Sequence, residues 1–254
     1  HWQLSAATLQ GRAAWLGLAL VLLALAVPFL DRFAAHVGNP RKAHGDGARL
    51  RWLDAALSPL QRGSFGTLLA AELRLALRPS RAWWWLALLV TLGVQAFAPE
   101  KAMAAAMIVA WVLAMDLFAQ LVLREHDTHT GALVFTAPGM RARLLQVRAI
   151  VAVGLAWLLV LPALLRLAAV HPQAAVATLV VGVSLASWGM ATGVLFRNGS
   201  MFELALLALA YISVQGGLLL NVAVAPMETL RWHLLGLPLA LAILAIGWRR
   251  METR

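Results

Sequence analysis

The hydrophobic pattern of the 254-residue chain is a succession of apolar runs separated by short, mostly basic breaks. A membrane-spanning helix needs about 17 to 25 predominantly apolar residues. Seven runs meet or approach that length, at residues 13–30, 83–97, 103–123, 150–169, 174–196, 202–220 and 234–248. The second is short and needs Ala82 and Ala98 to reach across. The pattern predicts an all-α membrane protein, a polytopic helical bundle. Run 13–30 is too long and continuous for the apolar region of a signal peptide, and no basic leader precedes it, so it reads as a span.

The polar stretches between the runs differ in kind. Residues 32–64, rich in Gly, Arg and His, read as a flexible linker, with Trp52, Leu53, Ala56 and Leu60 suggesting a short surface helix broken at Ser58-Pro59. The segment FGTLLAAELRLALR (65–78) sets Leu68, Leu69, Glu72, Leu73, Ala76 and Leu77 at helical spacing, with Arg74 and Arg78 among them. Too short to span, it is expected to lie along a membrane surface as an amphipathic helix. Pro79 then bends the chain toward Trp83, Trp84 and Trp85, where an interfacial aromatic anchor is expected. The longest interruption of the apolar region, REHDTHTGALVFTAPGMRARLLQVR (124–148), carries four arginines and joins two spans. It reads as a connector that docks on a partner. Residues 15–33 and 234–251 share a Leu/Ala-rich run with an Arg-bearing tail. This echo divides the chain into one isolated span (1–31), read as the last span of a preceding unit, a linker (32–64) and a six-span unit (65–254).

Composition supports the membrane reading: 62% of residues are hydrophobic and 13% charged, against about 25% charged in soluble domains. The net charge of +10 comes almost wholly from arginine, the only lysines being Lys42 and Lys101. The arginines lie between apolar runs rather than along one face, which argues against nucleic acid. Basic loops alternate with poor ones, so by the positive-inside rule the loop at 124–148 and the C-terminus are cytoplasmic. With no cysteine, thiol catalysis, disulfides and thiolate metal sites are excluded.

No phosphate-binding loop, nucleophile elbow or zinc-protease motif occurs. Glu125, His126, Asp127 and His129 are metal-ligand types, but a zinc site needs three or four converging ligands, and polar residues belong at a membrane exit in any case. Asp116 lies inside a span and is a functional candidate on that ground; a structural pair with an arginine such as Arg81 or Arg148, or snorkelling to the inner interface, is the favoured alternative. Arg166 is expected to snorkel to the nearer interface. Gln95, Asp116, Gln120, Gln215 and Asn221 either line a polar path or bond helix to helix. Gly182, Gly189 and Gly193 form a small-residue face for close helix packing. Ser200 and Glu203 match a capping box. Gln215-Gly216-Gly217, Asn221 and Pro226 suggest a re-entrant hairpin before the last span.

Taken in order, the LLAAELRLALR helix, two spans and a basic loop T-G-A-L…T-A-P-x-x-R-x-x-L-L resemble the permease subunit of type-2 ABC exporters across residues 65–254. The resemblance implies six spans, an amphipathic elbow helix, a cytoplasmic coupling helix between spans two and three, and a re-entrant hairpin before span six. It sets Gly131, Thr136, Pro138 and Arg141 on the loop motif, with Arg124 and Glu125 leading in. The implied ATPase-docking residues are Glu125, His126, Asp127, Gly131, Leu133, Phe135, Pro138 and Arg141, and the elbow residues Glu72, Arg74 and Arg78. Gly131-Ala132 stands where many relatives have Gly-Thr. The resemblance further implies a bacterial inner-membrane transport subunit rather than an enzyme, without a cofactor of its own. ATP and Mg would sit on a cytoplasmic ABC ATPase, and a second permease unit, identical or fused, would complete the path. The alternatives are an ion-coupled carrier using Asp116 and an intramembrane enzyme using Asp116 or the Glu125/His126/Asp127/His129 cluster.

Overall fold

Long apolar segments with few internal breakers become helices, and every regular element among the described residues is helical. The structure, a computed structural model, describes residues 51–61, 63–77, 82–127 and 139–250. These fall within one compact unit. Helix α1 (Arg51–Leu57) and a 3₁₀ turn (Ser58–Gln61) lead into α2 (Gly63–Leu77). There follow α3 (Ala82–Phe97), α4 (Glu100–Asp127), α5 (Met140–Leu158), α6 (Leu161–Val170), α7 (Pro172–Phe196), α8 (Ser200–Val214) and α9 (Pro226–Arg250). Run 13–30, Arg78, Arg81 and the loop residues Gly131, Leu133, Phe135, Thr136 and Pro138 lie outside the described residues. So do the side chains of Glu125, His126 and Asp127.

Among the described residues, three helices are long and apolar enough to cross a membrane: Glu100–Arg124 of α4, Pro172–Phe196 and Pro226–Arg250, each 25 residues. At 1.5 Å rise such a helix is about 37 Å long, more than the roughly 30 Å hydrocarbon core. Helices α3 and α8 are apolar but shorter. Run 150–169, expected as one span, is instead split between α5 and α6, which meet at a 66° bend. Pro162 explains the break, because it has no N–H for the Leu158 carbonyl and its ring crowds that carbonyl. The Leu159 carbonyl at the break accepts a hydrogen bond from Gln95 Nε2 at 3.0 Å, which joins α3 to the bend.

Run 202–220 is interrupted at Gln215-Gly216-Gly217, its helix stopping at Val214. Gly216 takes φ +98°, and the N–H groups of Gly216 and Gly217 donate back to the Ser213 and Ile212 carbonyls. That is a Schellman ending, in which the left-handed residue reverses the chain. The returning segment is held from both sides: Leu220 N–H donates to Ser213 Oγ at 3.1 Å, and His233 Nε2 donates to the Leu219 carbonyl at 2.8 Å. Thr229 Oγ1 donates to the Leu218 carbonyl. Side chains thus satisfy backbone groups that no helix serves.

Helix α7 is the centre of the bundle and packs against α4, α5, α6, α8 and α9. Its glycines allow the close approach. A Cβ on Gly189 would lie 2.5 Å from Phe118 Cβ, and one on Gly193 would lie 2.8 Å from Val122 Cγ2, both on α4. On Gly182 it would meet the Trp157 ring of α5 at 2.8 Å. Of the three adjacent tryptophans, Trp83 faces outward, but Trp84 turns inward and donates from Nε1 to the Leu113 carbonyl of α4 at 2.9 Å. The triplet is therefore not a uniform surface anchor. Large apolar side chains cover the outside of α3, α8 and α9, among them Leu86, Leu89, Phe97, Tyr211 and Leu235. An apolar exterior on this scale suits lipid rather than water.

Candidate functional site

The one acid of α2 sits on its apolar stripe, where a carboxylate is costly to bury without a cation. Glu72 is buried and uses each oxygen for a different arginine. Arg124 Nη1, near the end of α4, donates to Oε2 at 2.8 Å, and Arg148 Nη2, in α5, donates to Oε1 at 3.4 Å. The Arg148 side chain is 0% exposed. Its guanidinium lies over the Trp248 ring of α9, 5.8 Å from the centroid, in reach of a cation–π attraction. Arg141 Nη2 donates to the backbone carbonyl of Trp248.

A second contact holds α2 to α5, where Arg143 Nη2 donates to Ser64 Oγ at 2.6 Å. Arg74 pairs with Asp54 of α1 at 2.7 Å, but both side chains are well exposed, so this pair adds little. Residues 128–138 connect α4 to α5, and each side of this connector is fastened. Arg124 precedes it and Arg141, Arg143 and Arg148 follow it, and all four bond to α2 or α9. A displacement of either end must carry Glu72 or Trp248 along, or break a buried ionic contact. The arrangement can therefore pass motion of the connector to α2 and to the last helix.

Comparison with models of known protein families, with characterised proteins and with solved structures finds no match.

The remaining candidates fall into separate groups. Asp116 does not pair with Arg148, which is taken by Glu72. Its Oδ1 accepts a hydrogen bond from Gln120 Nε2, one turn along α4, at 2.5 Å. Glu203 is not the far end of a capping box: the N-cap of α8 is Gly199, with no side-chain cap bond. The Ser200 N–H goes instead to Asn198 Oδ1 at 3.0 Å, because Arg197 ends α7 in the left-handed region at φ 52°.

Gln95 is fully buried at the bend between α5 and α6. Arg166 Nη1 donates to the Gln95 and Ala98 carbonyls, both at 2.8 Å, closing the end of α3. Gln215 is exposed at the end of α8, and Asn221 lies partly buried in the returning segment. Of the five polar residues, the structure joins Asp116 with Gln120. Among the described residues no three His, Asp or Glu side chains group in a way that could hold a metal ion.

Two residues of the ionic cluster escape sequence reasoning. Trp248 carries no local signal for its role, and Arg148, offered beside Arg81 as a partner for Asp116, bonds Glu72. The clue available was Glu72 itself, a charge on a buried stripe that requires a cation from elsewhere.

Proposed function

We propose that the chain is the membrane permease of an ABC exporter of the type-2 class. It moves a substrate across the cell membrane using ATP hydrolysed by a separate cytoplasmic ATPase subunit. The observation that carries this reading is the bracing of the 128–138 connector: a short amphipathic helix, α2, bonds through Glu72 to the helices on both sides of it. A partner pressing on the connector acts directly on that cluster. Residues 1–254 contain no phosphate-binding loop, which fits nucleotide energy arriving from outside this segment.

Three further features support it. The basic connector and C-terminus suit the cytoplasmic side. The apolar exteriors of α3, α8 and α9 suit lipid and a second permease unit. The segment returning between α8 and α9 suits the re-entrant hairpin of that class. In mechanism, the ATPase binds two arrangements of the connector with different affinity, and this difference drives the shift. The cluster relays it to α2 and α9. Replacing Leu133 and Phe135 with Asp tests the docking: association with the ATPase and transport should both be lost. Survival of both would remove the connector from the docking surface.

Asp116 offers a second reading, an ion-coupled carrier. Asp116 lies in a spanning helix, where an ionisable group is costly unless it has a role. Asp116→Asn separates the two: the exporter keeps its ATP-dependent transport, whereas the carrier loses coupling to the proton gradient.

A further inference from the structure

Between α7, α8, α9 and the returning segment lies a cavity of about 220 Å³. Its wall is mainly apolar, built from Leu185, Trp188, Phe202, Leu206, Leu209 and Leu219. Three polar side chains reach it, and two are already engaged. His233 Nε2 is held by the Leu219 carbonyl at 2.8 Å, and Thr192 Oγ1 donates to the Trp188 carbonyl at 2.7 Å. The third, Ser184, is fully buried, and its hydroxyl has no hydrogen-bond partner.

The contrast with its neighbours sharpens the point. Thr178, Ser187 and Thr192, on the same helix, each donate to the carbonyl four residues back. Ser184 does not, and it lines the cavity. Buried hydroxyls without partners are few in native structures and costly. A hydroxyl can both donate and accept, so a carbonyl or hydroxyl oxygen in the cavity would satisfy it. The volume exceeds the roughly 150 Å³ of an apolar cavity that takes benzene, and falls below the roughly 300 Å³ at which drug-sized pockets begin.

Access is lateral. Helices α8 and α9 both pack on α7 but make no extended contact with each other. Ala205 and Trp232, which line the cavity, are exposed. The side chains beside them, Leu204 and Leu235, are apolar and exposed, so the mouth faces the same surroundings as the lipid-suited exterior.

We propose that this cavity is a binding site for one short lipophilic chain or single ring carrying a hydroxyl or carbonyl oxygen, which hydrogen-bonds to Ser184 Oγ. A bilayer lipid or a free amphiphile supplies that chemistry equally. The proposal goes beyond the exporter reading and holds whether or not an ATPase drives the chain.

The test uses the full chain in lipid nanodiscs and a diazirine-bearing octanol as photolabel. Saturable labelling is expected on peptides carrying Trp188, Leu209 or Trp232, with competition by unlabelled octanol. Ala205→Trp, which fills the mouth from an exposed position, should reduce labelling at least tenfold with the circular dichroism spectrum unchanged. Ser184→Ala should weaken competition by octanol about three- to tenfold, and leave competition by octane as it was. Native mass spectrometry separates the sources. One retained lipid per chain, absent in Ala205→Trp, identifies the bilayer; saturable labelling with no retained lipid identifies a free amphiphile. Either keeps the site. Labelling that fails to saturate, spreads over all outward-facing helices and ignores Ala205→Trp would overturn it.

Discussion

Replacing Glu72 with Ala removes the acid that bonds both Arg124 and Arg148 in the cluster. Arg124 is 22% exposed and can turn outward, so its loss is small. Arg148 is 0% exposed and cannot. Breaking a buried ion pair from one side costs about 3–5 kcal/mol, because the surviving charge stays in a poor solvent. The Trp248 ring remains beneath the guanidinium and offsets about 0.5–2 kcal/mol of that. A net loss of about 3 kcal/mol follows, near the lower end. For a domain of this size each kcal/mol moves the melting temperature by about 2–4 °C, which gives a fall of about 6–12 °C.

The assay is a thermal scan of the purified chain in one detergent at one scan rate, since unfolding of such a protein is a rate measurement as much as an equilibrium one. Glu72→Met combined with Arg148→Met should recover most of the fall, because an apolar pair of similar volume avoids the uncompensated charge. A fall below about 2 °C for Glu72→Ala, or a double variant worse than the single, would refute the reasoning.

The remaining predictions concern packing, coupling and docking. Gly189→Ala should destabilise by about 1–3 kcal/mol, because its Cβ meets Phe118 Cβ rather than a flexible tip. Gly154→Ala, with nothing within 4 Å of its Cβ, should be neutral or stabilise by up to about 1 kcal/mol in the same scan. Asp116→Asn should leave ATP-dependent transport intact in reconstituted vesicles, and abolition of transport would favour the carrier. The Leu133/Phe135 double substitution should abolish both ATPase association and transport, read by pull-down and vesicle assay.

The helical character of this chain was legible because apolar runs of spanning length leave few other options. Their continuity was not. Pro162 breaks a run that a hydropathy reading passes straight through, since one residue barely changes the average while removing a backbone bond, whereas the interruption at Gln215-Gly216-Gly217 was legible from its glycines. Glu72 was visible as a charge on an apolar stripe, but its partners lie 52 and 76 residues along the sequence. No local rule reaches that far. Glu203 illustrates the reverse failure: a valid local pattern, Ser followed by Glu three residues on, yet the N-cap is Gly199 and no side-chain cap forms. Trp84 did the same, leaving the surface for a carbonyl of α4.

The most direct test of partner-driven force entering through the connector uses the absence of native cysteine, which lets a single Thr136→Cys report on its own. A membrane-impermeant maleimide is applied to whole cells and to inside-out vesicles, with and without an ATPase bearing a phosphate-binding loop. The predicted result is labelling in inside-out vesicles alone, with protection when the ATPase is bound. Labelling in whole cells, or equal labelling with and without the ATPase, would contradict it.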